Sequence, residues 1–159
     1  MKRHDIKHII IAILIPITIG LISAILTKNG TNAFKTLNKP TLSPPAIVFP
    51  IAWTILYILM GIASYFLYKN EDYLTSNNRR KALILYAIQL FFNFFWSIIF
   101  FNLKAYYFAF FWLLIMWILI LLLLINSEKV DKKAFYLLLP YMIWTTFAGY
   151  LNIMIAILN

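Results

Sequence analysis

The chain has 159 residues, with 14 Lys+Arg against 5 Asp+Glu for a formal net charge of +9; 64% of its residues are hydrophobic and only 12% are charged. A soluble domain carries about 25% charge and 45–50% apolar residues, so a water-soluble globule, a disordered chain and a disulfide scaffold are excluded. There is no Cys, hence no thiol nucleophile, thiolate metal site or structural disulfide. The sequence pI of 9.8 does not point to nucleic acid. The positive charges lie in short segments between long apolar runs, as in a polytopic membrane protein.

Five apolar stretches reach the roughly 20 residues of helix that a bilayer requires: 6–26, 47–68, 82–101, 105–126 and 134–158. The expected fold is an all-α integral membrane protein, a single domain over 1–159 built as a bundle of five transmembrane helices. The first stretch is too long for a signal peptide and lacks a small-residue cleavage site. No internal repeat supports an inverted-repeat transporter. One side of the membrane holds Lys2, Arg3, Lys7, Lys69, Arg79, Arg80, Lys81, Lys129, Lys132 and Lys133, ten in all; the other holds only Lys28, Lys35, Lys39 and Lys104. Short positive loops stay in the cytoplasm, which places the N-terminus inside, the C-terminus outside and the 27–46 loop outward.

Within span one, Gly20 and Ala24 form a small-x-x-x-small pair suited to close helix contact. In the outward loop, Thr31 and Asn32 precede Phe34 and Leu37 and suit the cap of a short amphipathic turn. The last third of the loop is stiffened by Pro40, Pro44 and Pro45 beside Lys39. The segment suits either a lid over the bundle mouth or an interfacial loop. Ser43 followed by Pro44 suits the start of span two, and Pro50 and Pro140 either bend spans two and five or ease the starts of those helices.

Three spans carry polar stripes. Span two has Trp53, Tyr57, Gly61 and Ser64 or Tyr65; span three has Gln89, Asn93, Trp96 and Ser97; span five has Pro140, Trp144, Ala148 and Asn152. Counted from the outward ends at 1.5 Å per residue, Trp53 and Asn152 lie about 9 Å down, Asn93 about 12 Å, Tyr57 and Ala148 about 15 Å, and Trp144 and Gln89 roughly 18–21 Å. Convergent rings and amides at these depths suit a pocket for a flat apolar ligand with a few polar edges. The competing reading makes the amides interhelical glue and the aromatics an interfacial belt. Trp144, near mid-span, does not suit a belt. Trp112 and Trp117 lack amide companions on their own helix and are expected to pack or face lipid.

Conventional catalysis finds no residues. His4 and His8 have only Asp5 nearby, too little for a metal site. All five acids lie outside the spans, which leaves no buried acid–base pair or proton relay. Ser64 and Ser97 have no in-span base, and the four glycines form no phosphate loop. Trp and Tyr remain, which stack on extended rings.

The strings Asn38-Lys39-Pro40, Pro44-Pro45, Phe49-Pro50, Trp53-Thr54, Leu56-Tyr57 and Met60-Gly61 resemble the first-loop and second-helix signature of the TspO/MBR family, the tryptophan-rich sensory proteins, translocator proteins or peripheral-type benzodiazepine receptors. Span three adds Gln89-Leu90, Asn93, Trp96-Ser97 and Phe100-Phe101; span five adds Leu138-Leu139-Pro140-Tyr141, Trp144, Phe147-Ala148 and Leu151-Asn152. The resemblance implies a bacterial cytoplasmic-membrane protein, commonly a homodimer, with a ligand pocket closed by the first loop. No cofactor is required, and the ligand is a porphyrin such as protoporphyrin IX or a synthetic isoquinoline carboxamide or benzodiazepine. The matching pocket positions are Trp53, Tyr57, Gln89, Asn93, Trp96, Trp144, Ala148 and Asn152, with Lys39, Pro40, Pro44 and Pro45 in the lid. Trp53 and Trp144 match the tryptophans linked to light- and oxygen-dependent porphyrin breakdown, so a porphyrin-degrading enzyme is one alternative and a carrier of small amphiphiles another. Leu42 and Ile47 depart from the family by standing where many members have aromatics. No Lys or Arg follows Lys133, so the C-terminal sterol motif of the mitochondrial relatives is missing.

Overall fold

The computed structural model describes residues 3–70 and 72–159; the side chains of Arg3, His4, Thr31, Ala33 and Phe34 lie outside that description, as does Lys2. The short helix begins at Lys28, so Thr31 and Asn32 stand inside it and not at its cap as expected, and the Phe34 half of the amphipathic pair falls outside the description. Among the described residues, six α-helices follow in chain order: α1 (Arg3–Leu26), α2 (Lys28–Phe34), α3 (Val48–Lys69), α4 (Ser76–Ser97), α5 (Tyr106–Val130) and α6 (Lys132–Leu158), with a 3-10 turn, Tyr73–Thr75, before α4. A π-helical turn, Ile98–Asn102, extends α4. All but α2 are long and apolar enough to cross a bilayer; with the π turn they overlap all five expected stretches, with Ile47 and Ala105 left outside the helices.

Local chemistry sets the starts. Asp131 caps α6, its carboxylate accepting from the Lys133 backbone N–H at 2.7 Å. The expected start at Ser43 is not what forms. Proline restricts the preceding residue to extended backbone, so the Pro44-Pro45 pair holds the chain out of helix until Val48, after a turn closed by Ser43 N–H to Pro40 O at 2.9 Å. Pro50 then sits in the first turn of α3, where its missing N–H breaks no helical bond. Pro16 and Pro140 lie inside α1 and α6.

In four helices one series of buried positions recurs at alternating steps of four and three, with further buried residues such as Leu124, Gly149, Leu151 and Ala156 beside it. In α5 the series is Ala109, Leu113, Met116, Ile120, Leu123, Ser127 and Val130. In α6 it is Ala134, Leu138, Tyr141, Thr145, Ala148, Asn152 and Ile155. The same step runs through Ala82, Tyr86, Gln89 and Asn93 of α4 and through Leu56, Met60, Ala63 and Leu67 of α3. A mean spacing of 3.5 keeps one seam facing its neighbour and is the period of left-handed helix packing. The contacts close a ring in the order α1, α3, α6, α5, α4 and back to α1.

The two ends of the bundle differ. At one, Lys69 pairs with Asp5 at 3.0 Å, Tyr65 OH donates to Asp5 at 3.1 Å, and the Asn70 amide donates to Val130 O at 2.6 Å. At the other, the Asn102 amide donates to Leu26 O at 3.0 Å, and α2 lies against the π turn. Phe49 meets Trp144 (6.1 Å between ring centroids) and Trp53 meets Tyr141 (6.2 Å). The 14 residues of α6 between Trp144 and Leu158 therefore project about 20 Å past the first turn of α3. The first loop lies alongside that overhang. Leu37 packs on Ile99, Phe100, Ala109 and Ile155, Pro40 is buried, and Asn38 and Asn159 exchange two bonds of 3.0 Å through the Asn159 amide. Lys39 reaches back along the loop to donate to Lys35 O.

Candidate ligand site between α3, α4 and α6

The candidate residues fall into two layers. The inner layer is a hydrogen-bonded chain across three helices. Tyr57 OH on α3 donates to Asn93 Oδ1 on α4 at 2.8 Å. The Asn93 amide donates to Tyr141 OH on α6 at 3.1 Å, and Tyr141 OH donates in turn to Gln89 Oε1 at 2.7 Å. Gln89, Asn93 and Tyr141 are almost wholly buried. Trp53 leans on Tyr57 (5.6 Å, 30°) and stands edge-on to Tyr141 (66°). The Gly20 Cα lies under the Tyr57 ring, so closely that a Cβ there would overlap Tyr57 Cε2. Gly20 of the expected small-residue pair thus makes the close contact. Ala24 is exposed, and the buried face continues through Ser23 and Thr27.

The outer layer joins α4, α5 and α6. Trp96 Nε1 donates to Asn152 Oδ1 at 3.1 Å, and the Asn152 amide donates to Tyr106 O at 2.8 Å. Trp96 also stacks on Phe100 (5.2 Å, 26°). The π turn begins two residues after Trp96; such turns reset the phase of a helix. Ala148 lies buried one turn below Asn152 and one turn above Trp144. Trp144 is part-buried between Phe49 and Phe147.

The amides therefore do act as interhelical glue, as one of the two readings expected. Gln89 Nε2 and Trp144 Nε1 remain buried with no acceptor among the described residues. A buried donor without a partner costs about 1–3 kcal/mol, so both are places where an added acceptor is favoured. Trp112 and Trp117 are packing residues: Trp112 Nε1 donates to Phe92 O and Trp117 Nε1 to Thr146 Oγ1, each at 2.8 Å. A separate groove of about 340 Å³, lined by Leu113, Trp117, Thr146, Gly149 and Tyr150 among others, runs between α5 and α6 and includes none of the candidate residues. Among the described residues, no group of three His, Asp or Glu is placed to hold a metal ion.

Tyr141, the hub of the inner layer, was not among the candidates, and neither was the Tyr106 carbonyl. The α6 stripe of Pro140, Trp144, Ala148 and Asn152 steps by four throughout. An α-helix advances 400° in four residues, so such a stripe drifts about 40° per step. The 4-3 step selects Tyr141 instead and leaves Pro140 exposed.

The TspO/MBR family model matches residues 12–158. The chain belongs to the TspO/MBR family. It is 34% identical over 126 residues to the tryptophan-rich protein TspO of Chlorobaculum tepidum, covering 79% of this chain and 78% of that protein. It is 33% identical over 156 residues to the tryptophan-rich protein TspO of Archaeoglobus fulgidus, covering 98% and 99%. It is also 32% identical over 140 residues to the translocator protein of Bos taurus, covering 87% and 82%. This TspO/MBR chain is accordingly a multi-pass membrane protein of a family that includes sensory and translocator proteins. Leu42 and Ile47, its departures from the family pattern, are both 66% exposed.

Proposed function

We propose that this chain is a sensor or receptor of the cytoplasmic membrane, N-terminus inside and C-terminus outside, that binds tetrapyrroles such as protoporphyrin IX between α3, α4 and α6. Flat synthetic isoquinoline carboxamides and benzodiazepines suit the same ring-lined walls, and the family pattern adds a homodimer. Trp53, Tyr57, Tyr141 and Trp144 supply aromatic faces, which stack on extended π-systems. The observation that carries the reading is Trp144 Nε1, buried beside Phe49 and Phe147 without an acceptor. A ring packed purely as filler is expected to find a partner for its N–H, as Trp96, Trp112 and Trp117 do.

The test is a protoporphyrin titration of the detergent-solubilised protein against empty micelles, read by the shift of the porphyrin absorption band. Trp144→Phe keeps an aromatic ring and removes the donor, and it is expected to weaken binding about five- to tenfold. Trp53→Leu with Trp144→Leu is expected to abolish binding above micelle partition, with helix content unchanged by circular dichroism. A folded double variant that binds as the wild type does would overturn the site.

A further inference from the structure

The inner hydrogen-bond chain has a direction, and that direction constrains what the site accepts. Asn93 Oδ1 is taken by the Tyr57 hydroxyl at 2.8 Å, so the Asn93 amide nitrogen is left to donate to Tyr141 OH at 3.1 Å. A phenol has one proton. With its oxygen accepting from Asn93, Tyr141 gives that proton to Gln89 Oε1 at 2.7 Å. Gln89 has two ends, and its acceptor end is thereby engaged. Its Nε2 is left buried with both hydrogens free in a residue of 0% exposure. Gln89 Oε1 is much nearer to Tyr141 OH than the other acceptor, Met116 Sδ at 3.8 Å, and in this arrangement the run ends in a donor.

We infer that Tyr141 is a specificity-setting residue. By holding Gln89 Oε1, it makes the inner layer a donor-only subsite that selects ligands carrying a hydrogen-bond acceptor, such as a carbonyl or carboxylate oxygen, on an otherwise flat apolar body. The inference rests on the ligand site proposed above and adds the polarity of the ligand edge it takes. Gln89 is one hydrogen bond removed from Tyr141, whose ring stands edge-on to Trp53, so the subsite adjoins the aromatic wall. Trp144 Nε1, another buried atom without a partner and the one beside the aromatic wall, is also a donor. Neither Gln89 Nε2 nor Trp144 Nε1 is an acceptor, so a ligand edge that only donates finds no partner at either and leaves its own polar atoms there unpaired.

The test compares two neutral porphyrins on the full-length protein in micelles: one bearing ester carbonyls and one bearing only alkyl substituents. The readout is the ratio of their dissociation constants, each corrected for partition into empty micelles. Wild type is expected to prefer the ester by about tenfold. Gln89→Met, similar in length and apolar, is expected to bring the ratio to about one. Tyr141→Phe leaves the Gln89 amide free to turn over and is expected to reduce the ratio several-fold, an effect that mere loss of packing, acting on both ligands alike, does not give. A ratio unchanged in Gln89→Met overturns the inference while porphyrin binding stands. A wild type that prefers the alkyl porphyrin shows the chain running in the opposite sense and also overturns it. A wild type that binds neither porphyrin overturns both this inference and the proposed function.

Discussion

At Gly61 the backbone of α3 packs closely against the backbone of α1. A Cβ at this position would lie 2.5 Å from Ile13 Cα and 2.8 Å from Ala12 O. Both atoms are backbone, so no rotamer change relieves the overlap and the two helices must separate. Gly61→Ala is therefore expected to destabilise the bundle by about 1–3 kcal/mol, read as a lower thermal midpoint in detergent. Gly149→Ala is the matched control, because its added carbon would meet only Leu113 Cδ2 at 3.4 Å and the change gains helix propensity. Equal losses in the two variants would show that close backbone approach is not what fixes α1 on α3. Single residues were unevenly legible in the sequence. Asn93 and Gln89 stood out because an amide in hydrocarbon requires a partner. Tyr141, which serves them both, did not. Tyrosine is common in membrane helices, and its importance shows only when the burial period is taken as 3.5 rather than 4.

At the scale of elements, the long apolar runs disclosed all five spanning helices, because a helix satisfies its backbone hydrogen bonds within one such run. The details that decide how the first loop sits were hidden. The π turn Ile98–Asn102 carries no residue type that marks it, and it arises where the end of α4 meets α2. There, a Cβ on Gly30 would lie 2.6 Å from the Phe101 carbonyl carbon. Glycine is required at that crossing for proximity, not for its backbone angles. Gly30→Ala is expected to lift α2 off the π turn. Amide exchange across 28–40 would then quicken while the amides of α5 and α6 keep their protection, measured by hydrogen–deuterium exchange. Unchanged exchange in 28–40 would mean that the loop is held by Leu37 and the Asn38–Asn159 pair alone. The depth comparison between helices failed for a related reason. It counted each span from its own outward end, whereas α6 overruns α3 by about three to four turns. Trp144, expected well below Trp53, instead meets Phe49 in the first turn of α3.

For the molecule as a whole, the charge pattern poses a sharper question than the net charge suggests. By the loop assignment read from the sequence, all five acids, Asp5, Glu71, Asp72, Glu128 and Asp131, are expected on the side of the ten Lys and Arg, which gives that side a formal charge of 10 − 5 = +5. The four Lys of the other end make it +4, almost the same. Net charge would barely orient such a chain. The count of Lys and Arg alone, ten against four, predicts one orientation, because acids contribute little to membrane topology. The fold agrees with this partition, because Asp5, Lys69, Asn70 and Val130 meet at one end while Leu26, Asn102, Asn38 and Asn159 gather at the other. Since the native chain has no Cys, single cysteines report position without background. Thr41→Cys in the first loop and Asn77→Cys near the start of α4 both fall at exposed positions. In intact cells, a membrane-impermeant maleimide is expected to label the first and to reach the second only after permeabilisation. Labelling in the opposite sense would invert the bundle and put the first loop on the cytoplasmic side. Equal labelling at both sites would mean that the near-equal net charges of the two ends, not the Lys and Arg count, govern insertion.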